Sequence, residues 1–161
     1  MKNIIFIHGY LSSGKGFKGK FLKKIFPQIL TPNFKGYLDK RMKKLEAILK
    51  GEDNWIIIGS SYGGLMGSLY ACKYPEKVKK LILLAPYIIS NDIDPNNLKN
   101  VPIDIPVIAY HGIKDKTVNL DKARSRAEKL FSNLSYNAVD DDHGLDKTMY
   151  DIKWKELLEK E

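Results

Sequence analysis

The chain has 161 residues, 43% hydrophobic and 29% charged, the make-up of one soluble globular domain with a core of its own. Its single cysteine, Cys72, excludes a disulfide framework and any multi-cysteine metal site, and no apolar run reaches the roughly 18 residues of a membrane span. The net charge of +8 is lopsided: residues 1–51 hold 12 Lys/Arg against Asp39 and Glu46 (+10), and residues 52–161 hold 15 against 17 (−2).

In chain order, the first apolar run is Ile4–Ile7, which reads as a buried strand and stops at His8-Gly9. It is too short for a signal-peptide core, so a cytoplasmic protein is expected. Phe17, Phe21, Leu22 and Ile25 then share one helical face, as do Leu38, Met42, Leu45 and Leu49. Gln28–Thr31 between them is a weak strand candidate. Trp55–Ile58, Lys80–Leu84 and Val107–Tyr110 read as further buried strands, Leu120, Ala123, Ala127 and Leu130 as a helical stripe, and Ser135–Val139 as a second weak strand. A last helix is expected over Lys147–Glu159. Alternating β and α segments with near-continuous apolar strands predict one domain over 1–161, a three-layer α/β/α sandwich with a mostly parallel sheet of about six strands. In such sheets function collects on the loops at the carboxyl ends of the strands.

Those loops carry the chemistry. After Trp55–Ile58 the chain reads Gly59-Ser60-Ser61-Tyr62-Gly63-Gly64, a G-x-S-x-G between a strand and a helix rich in small residues. Such a turn forces Ser61 into a strained backbone and lifts its hydroxyl clear of the sheet, beside a helix N-terminus that favours negative charge. Side chains at Gly59 and Gly63 would collide across the turn. A serine needs a base, and the chain has three histidines: His8, His111 and His143. His143 lies in Asp140-Asp141-Asp142-His143-Gly144, between the last strand and the last helix. A carboxylate must orient that base, and Asp115 follows the Val107–Tyr110 strand. Ser61, Asp115 and His143 thus sit in loops after three different strands.

From His8 to His143 the chain resembles the α/β-hydrolases. The resemblance implies Ser61 as nucleophile, Asp115 as acid and His143 as base, with Asp92 or Asp94 as the alternative acid used by some relatives. It makes His8-Gly9 the oxyanion segment, the donors being the amides of Tyr10 and Tyr62, with Leu11 the second choice to Tyr10. Asp140–Asp142 are expected to form a solvated acidic turn, and His8 and His111 to be hydrogen-bonded structural residues. Two features depart from the family: there is no antiparallel hairpin ahead of Ile4, and only 21 residues separate Leu84 from Pro106, too few for a helical lid. A minimal α/β-hydrolase fold without a cap domain follows, resembling the small lidless serine hydrolases and carboxylesterases. The activity implied is metal-independent and cofactor-free hydrolysis of small, accessible carboxylic esters or thioesters through an acyl-enzyme. A catalytically weak or inactive binding protein on the same scaffold, or a hydrolase of peptide or carbon–carbon bonds, is the competing reading.

The lysines of the first third, with Arg41, fall at helical spacing opposite the apolar stripes and read as solvated faces. No nucleic-acid-binding motif accompanies them and the nine tyrosines are scattered, so neither a nucleic acid nor a membrane is expected as partner. Lys15, close to the oxyanion segment, is the candidate contact for an anionic substrate.

Overall fold

The computed structural model describes residues 2–160. At its centre is a five-stranded sheet, parallel throughout, in the order β1 (Ile4–Ile7), β2 (Trp55–Ser60), β3 (Val78–Leu84), β4 (Val107–Gly112) and β5 (Leu134–Val139). Side chains alternate across a strand, so each apolar run supplies both faces. Ile5, Ile7, Ile57, Leu81, Leu83, Val107 and Ala109 join the core formed with α2 (Leu38–Leu49), α3 (Tyr62–Lys73) and α4 (Leu120–Leu130). Ile4, Phe6, Ile56, Ile58, Ile82 and Leu84 join a second core with α1 (Phe17–Ile25), α5 (Asp146–Asp151) and α6 (Trp154–Glu159). The three-layer α/β/α sandwich expected from the sequence is the one observed.

The strand count is five rather than about six, because Gln28–Thr31 does not become a strand. It makes one parallel bridge, Leu30 to Ile5, with the Leu30 amide donating to Ile4 O at 3.0 Å and the Phe6 amide to Leu30 O at 2.9 Å. Pro27 and Pro32 flank it, and a proline can neither donate to a ladder nor leave its predecessor free, so pairing stops there. The last helix is also broken in two at Ile152-Lys153. Ile152 and Trp154 are both buried, and on a continuous helix they would point about 200° apart. The break turns both toward the sheet, and the Trp154 indole N–H takes the Met149 carbonyl at 2.8 Å.

Three strands extend beyond their apolar runs. β2 reaches Ser60 and β4 reaches Gly112, which brings the motif loops flush with the end of the sheet, while β3 starts earlier, at Val78. Between β3 and β4 there are only two short 3-10 turns, Asn91–Ile93 and Pro95–Asn97. Ile88 and Ile93 anchor this segment in the core, and Arg126 of α4 donates to the carbonyls of Ile88, Ser90 and Ile93. No helical cap is inserted there. Among the described residues no helix is long and apolar enough to cross a membrane.

Candidate active site

The turn after β2 holds Ser61 at φ 53°, ψ −111°, a backbone region that side chains disfavour. Its surroundings enforce the conformation. The Ser61 amide donates to Leu84 O at 2.9 Å, and its carbonyl accepts the amides of Gly64 and Tyr87, each at 2.9 Å. A side chain on Gly59 would come within 2.4 Å of Gly63 O, and one on Gly63 within 2.0 Å of Ile7 O, so both positions need glycine. The second contact also presses the start of α3 against the end of β1.

The Ser61 hydroxyl donates to His143 Nε2 at 3.0 Å, and His143 Nδ1–H donates to Asp115 Oδ2 at 2.7 Å. Asp115 has no solvent exposure, whereas His143 retains 28%. Burial would push the Asp115 carboxyl up, but hydrogen bonds from the Val118 amide, His143 and the Thr117 amide outweigh it and hold the group below its ordinary value. Both amides reach Oδ1 at 2.8 Å. Asp92 and Asp94 are engaged elsewhere, closing the 3-10 turns through Ser90 and Asn96.

The acidic turn before His143 is more structural than its composition implied. Asp141 accepts both the amide and the hydroxyl of Thr148 in α5, at 2.9 and 2.8 Å, and these bonds overcome burial to keep its carboxyl ionised below the usual range. Asp142 accepts the Gly144 amide at 3.0 Å, and Asp140 pairs with Lys114 at 2.9 Å. His143 is therefore carried on a loop tied down on both sides.

The His8-Gly9-Tyr10 segment runs beside the serine, a Cβ on Gly9 falling 3.7 Å from Ser61 Cβ. Neither the Tyr10 amide nor the Tyr62 amide is spent on a backbone carbonyl. His8 is buried, with Nδ1–H donating to Gly9 O at 2.7 Å and Nε2 accepting the Phe34 amide at 2.8 Å. Burial drives its proton affinity down. Arg41, assigned from the sequence to a solvated face, is 97% buried instead, its relative exposure being 3%. Its Nε donates to Gly36 O at 2.8 Å and its Nη2 to Tyr10 O at 3.2 Å. The guanidinium lies 4.7 Å from the centre of the Tyr10 ring and 5.2 Å from that of Tyr62, so one cation braces both residues whose amides flank Ser61. The signal was in the sequence: Arg41 is the one arginine among twelve basic residues of the first third, and it stands three after Leu38 and four before Leu45, on the apolar stripe.

A cleft of about 560 Å³ opens at Ser61 and His143, walled by Leu11, Ser13, Phe17, Lys18, Thr117 and Asp146. Leu11 stands at its mouth, 97% exposed. Lys15 does not line this cleft and its side chain is exposed; Lys18 does, one helical turn on. Lys18 Nζ donates to Gly144 O at 2.5 Å, and burial lowers its proton affinity against the pull of Asp146, Asp141 and Asp142. A second depression of about 420 Å³, between the end of β5 and α5–α6, is lined by neither Ser61, Asp115 nor His143. The Cys72 thiol is buried and pushed up to about 12 by desolvation, so it is not a competing nucleophile. Among the described residues no three His, Cys, Asp or Glu side chains are grouped to hold a metal ion.

A family model for the alpha/beta hydrolase fold matches residues 35–102, which hold the Ser61 elbow. The acyl-protein thioesterase 1 homolog 2 of Dictyostelium discoideum is 27% identical, over 72% of this chain and 71% of that one. The (lyso)-N-acylphosphatidylethanolamine lipase of Mus musculus is 35% identical over 60 residues, 37% of this chain but only 18% of the mouse protein. Among solved structures, ferulic-acid-bound Est1E from Butyrivibrio proteoclasticus superposes with a TM-score of 0.77 at 18% identity, covering 98% of this chain and 88% of Est1E. The chain has the α/β-hydrolase fold.

Proposed function

We propose that the protein is a serine hydrolase that cleaves carboxylic esters, thioesters included, of small and accessible acyl substrates. One observation carries the assignment: the continuous hydrogen-bonded line from Ser61 Oγ through His143 to Asp115, at 3.0 and 2.7 Å, at the floor of an open cleft. The similarity to an acyl-protein thioesterase homolog agrees with that chemistry.

In the first step Ser61 Oγ attacks the acyl carbonyl while His143 Nε2 takes its proton, and Asp115 stabilises the imidazolium formed. The Tyr62 amide at the start of α3 and the Tyr10 amide hold the carbonyl oxygen as it becomes negative, donors of this type contributing about 3–4 kcal/mol each. His143 then protonates the departing alcohol or thiol. In the second step it activates a water that releases the acid from Ser61. The acyl group rests against Leu11 and Phe17, and the lack of a helix over the cleft favours a substrate with a freely accessible carbonyl.

The test is labelling with a fluorophosphonate probe followed by turnover of p-nitrophenyl esters and acyl thioesters graded in chain length. Labelling at Ser61 and loss of both labelling and turnover in Ser61→Ala are expected. An unlabelled Ser61, or a Ser61→Ala variant with full activity, overturns the assignment.

A further inference from the structure

Asp115 Oδ2, the oxygen that meets His143, has a second imidazole beside it. His111 Nε2 lies 3.1 Å away, and neither side chain has any solvent exposure. The tautomer follows from the partners. Nε2 also faces the Val118 carbonyl at 3.0 Å, which can only accept, so Nε2 carries the hydrogen. Nδ1 is then the acceptor for the Tyr136 hydroxyl at 2.7 Å. Hydrogen bonds run from Tyr136 on β5 to His111 at the end of β4, and from Asp115 through His143 to Ser61; the 3.1 Å contact of His111 Nε2 with Asp115 Oδ2 joins the two.

We propose that His111 is a positioning residue for the catalytic acid: its one Nε2 hydrogen, buried between Val118 O at 3.0 Å and Asp115 Oδ2 at 3.1 Å, is shared with Oδ2, holds that oxygen against His143 and takes up part of its negative charge. The proposal rests on the serine-hydrolase assignment above. Two amides alone saturate Oδ1, so without His111 the carboxylate would be fixed at one oxygen and loose at the reactive one. Burial favours the neutral imidazole, lowering the His111 pKa against the opposing pull of Val118 O and Asp115. The charged and titratable groups around it are Asp115 on its own loop, Tyr136 on β5, His143 beyond Asp115, and Arg124 of α4, whose guanidinium lies 5.4 Å from the Tyr136 ring centre.

Removing this donor concentrates negative charge on Oδ2, which stabilises the His143 imidazolium and moves the acid limb of the pH–rate profile upward. The experiment compares kcat/KM against pH for His111→Phe, His111→Asn and His111→Gln, each first shown folded by its thermal midpoint. Asn keeps an amide for Tyr136 but is too short to reach Oδ2, whereas Gln reaches both. Phe and Asn should raise the acid limb by about half a pH unit or more and lower the plateau roughly tenfold, with Gln restoring both toward the parent. The low-field NMR proton resonance of the His143–Asp115 bond, recorded without substrate, should shift in Asn and not in Gln. An acid limb that stays put or falls in Asn, or Asn and Gln variants that behave alike, overturns the role of His111. The NMR comparison needs no ester turnover, so it fails or succeeds independently of the hydrolase assignment, which the Ser61 labelling tests.

Discussion

Ser61 stands between two unlike flanks. On the side of His143 and Asp115, the carboxylate side chain is buried and takes two amides and the His143 N–H, with His111 Nε2 3.1 Å away, and even the neighbouring loop is tied to α5 through Asp141. On the other side lies the open cleft, where Leu11 is 97% exposed and Phe17 remains 44% exposed. Polar groups withdrawn from water must be satisfied by the protein, and satisfying them all leaves one arrangement. Exposed apolar side chains carry no such demand and leave the shape of the cleft adjustable. The hydrogen-bonded groups are thus held rigidly, while the proposed acyl site is walled by side chains that can be exchanged at little cost to the fold.

Breaking the closed flank gives the largest effects. Asp115→Asn presents an amide where His143 needs an acceptor, and should cut kcat by roughly 10³–10⁴-fold and also lower the thermal midpoint, since a buried NH2 then faces other N–H groups, read from ester turnover and calorimetry. Arg41→Ala tests whether the buried cation belongs with that flank. Losing its bonds to Tyr10 O and Gly36 O should lower both kcat and stability, by about tenfold and about 2 kcal/mol; unchanged kcat in a destabilised protein would make Arg41 purely structural. On the open flank, Leu11→Ala and Phe17→Ala should alter the ratio of kcat/KM between long and short acyl chains by about tenfold or less, leaving the thermal midpoint nearly unmoved.

The smallest effect is on stability against pH. Burial holds the His8 and His111 imidazoles below their ordinary value of 6.5. As pH falls, the unfolded chain binds these protons first, so the contribution of both groups is fully present above about 6.5 and is lost as pH drops through the lowered folded values. The thermal midpoint should fall by roughly 2–4 °C between pH 7 and 5, and His8→Gln should flatten that slope.

Much of this molecule is legible from residue order alone. The runs at Ile4–Ile7, Trp55–Ile58 and Val107–Tyr110 could be buried strands and little else, because nothing polar interrupts them. Ser61 and Asp115 stand out because each follows such a run at a strand end, and His143 because it follows the weaker Ser135–Val139 candidate. The two prolines that cut Gln28–Thr31 to a single bridge were also in view, though their effect depends on pairing with Ile5. Long-range partners were not legible. Lys15 and Lys18 differ by three positions and carry the same charge, yet only Lys18 faces the cleft, since helix α1 turns it toward Gly144. Arg41 lay on the apolar stripe of α2 but read as solvated among lysines, because what covers it is Tyr10 and Tyr62, from loops 31 and 21 residues away in the chain.

By itself, the sequence determined the layer architecture and the loops where chemistry is placed, because strand burial and turn geometry are written in short stretches of residues. Tertiary structure decided which groups share a proton or a charge. His111 and Asp115 are four residues apart, but Tyr136, His143 and Ser61 reach them only because parallel strands bring their carboxyl ends to one edge. Hydrogen bonds depend on tenths of an ångström and on the exclusion of water, and the folded packing sets both.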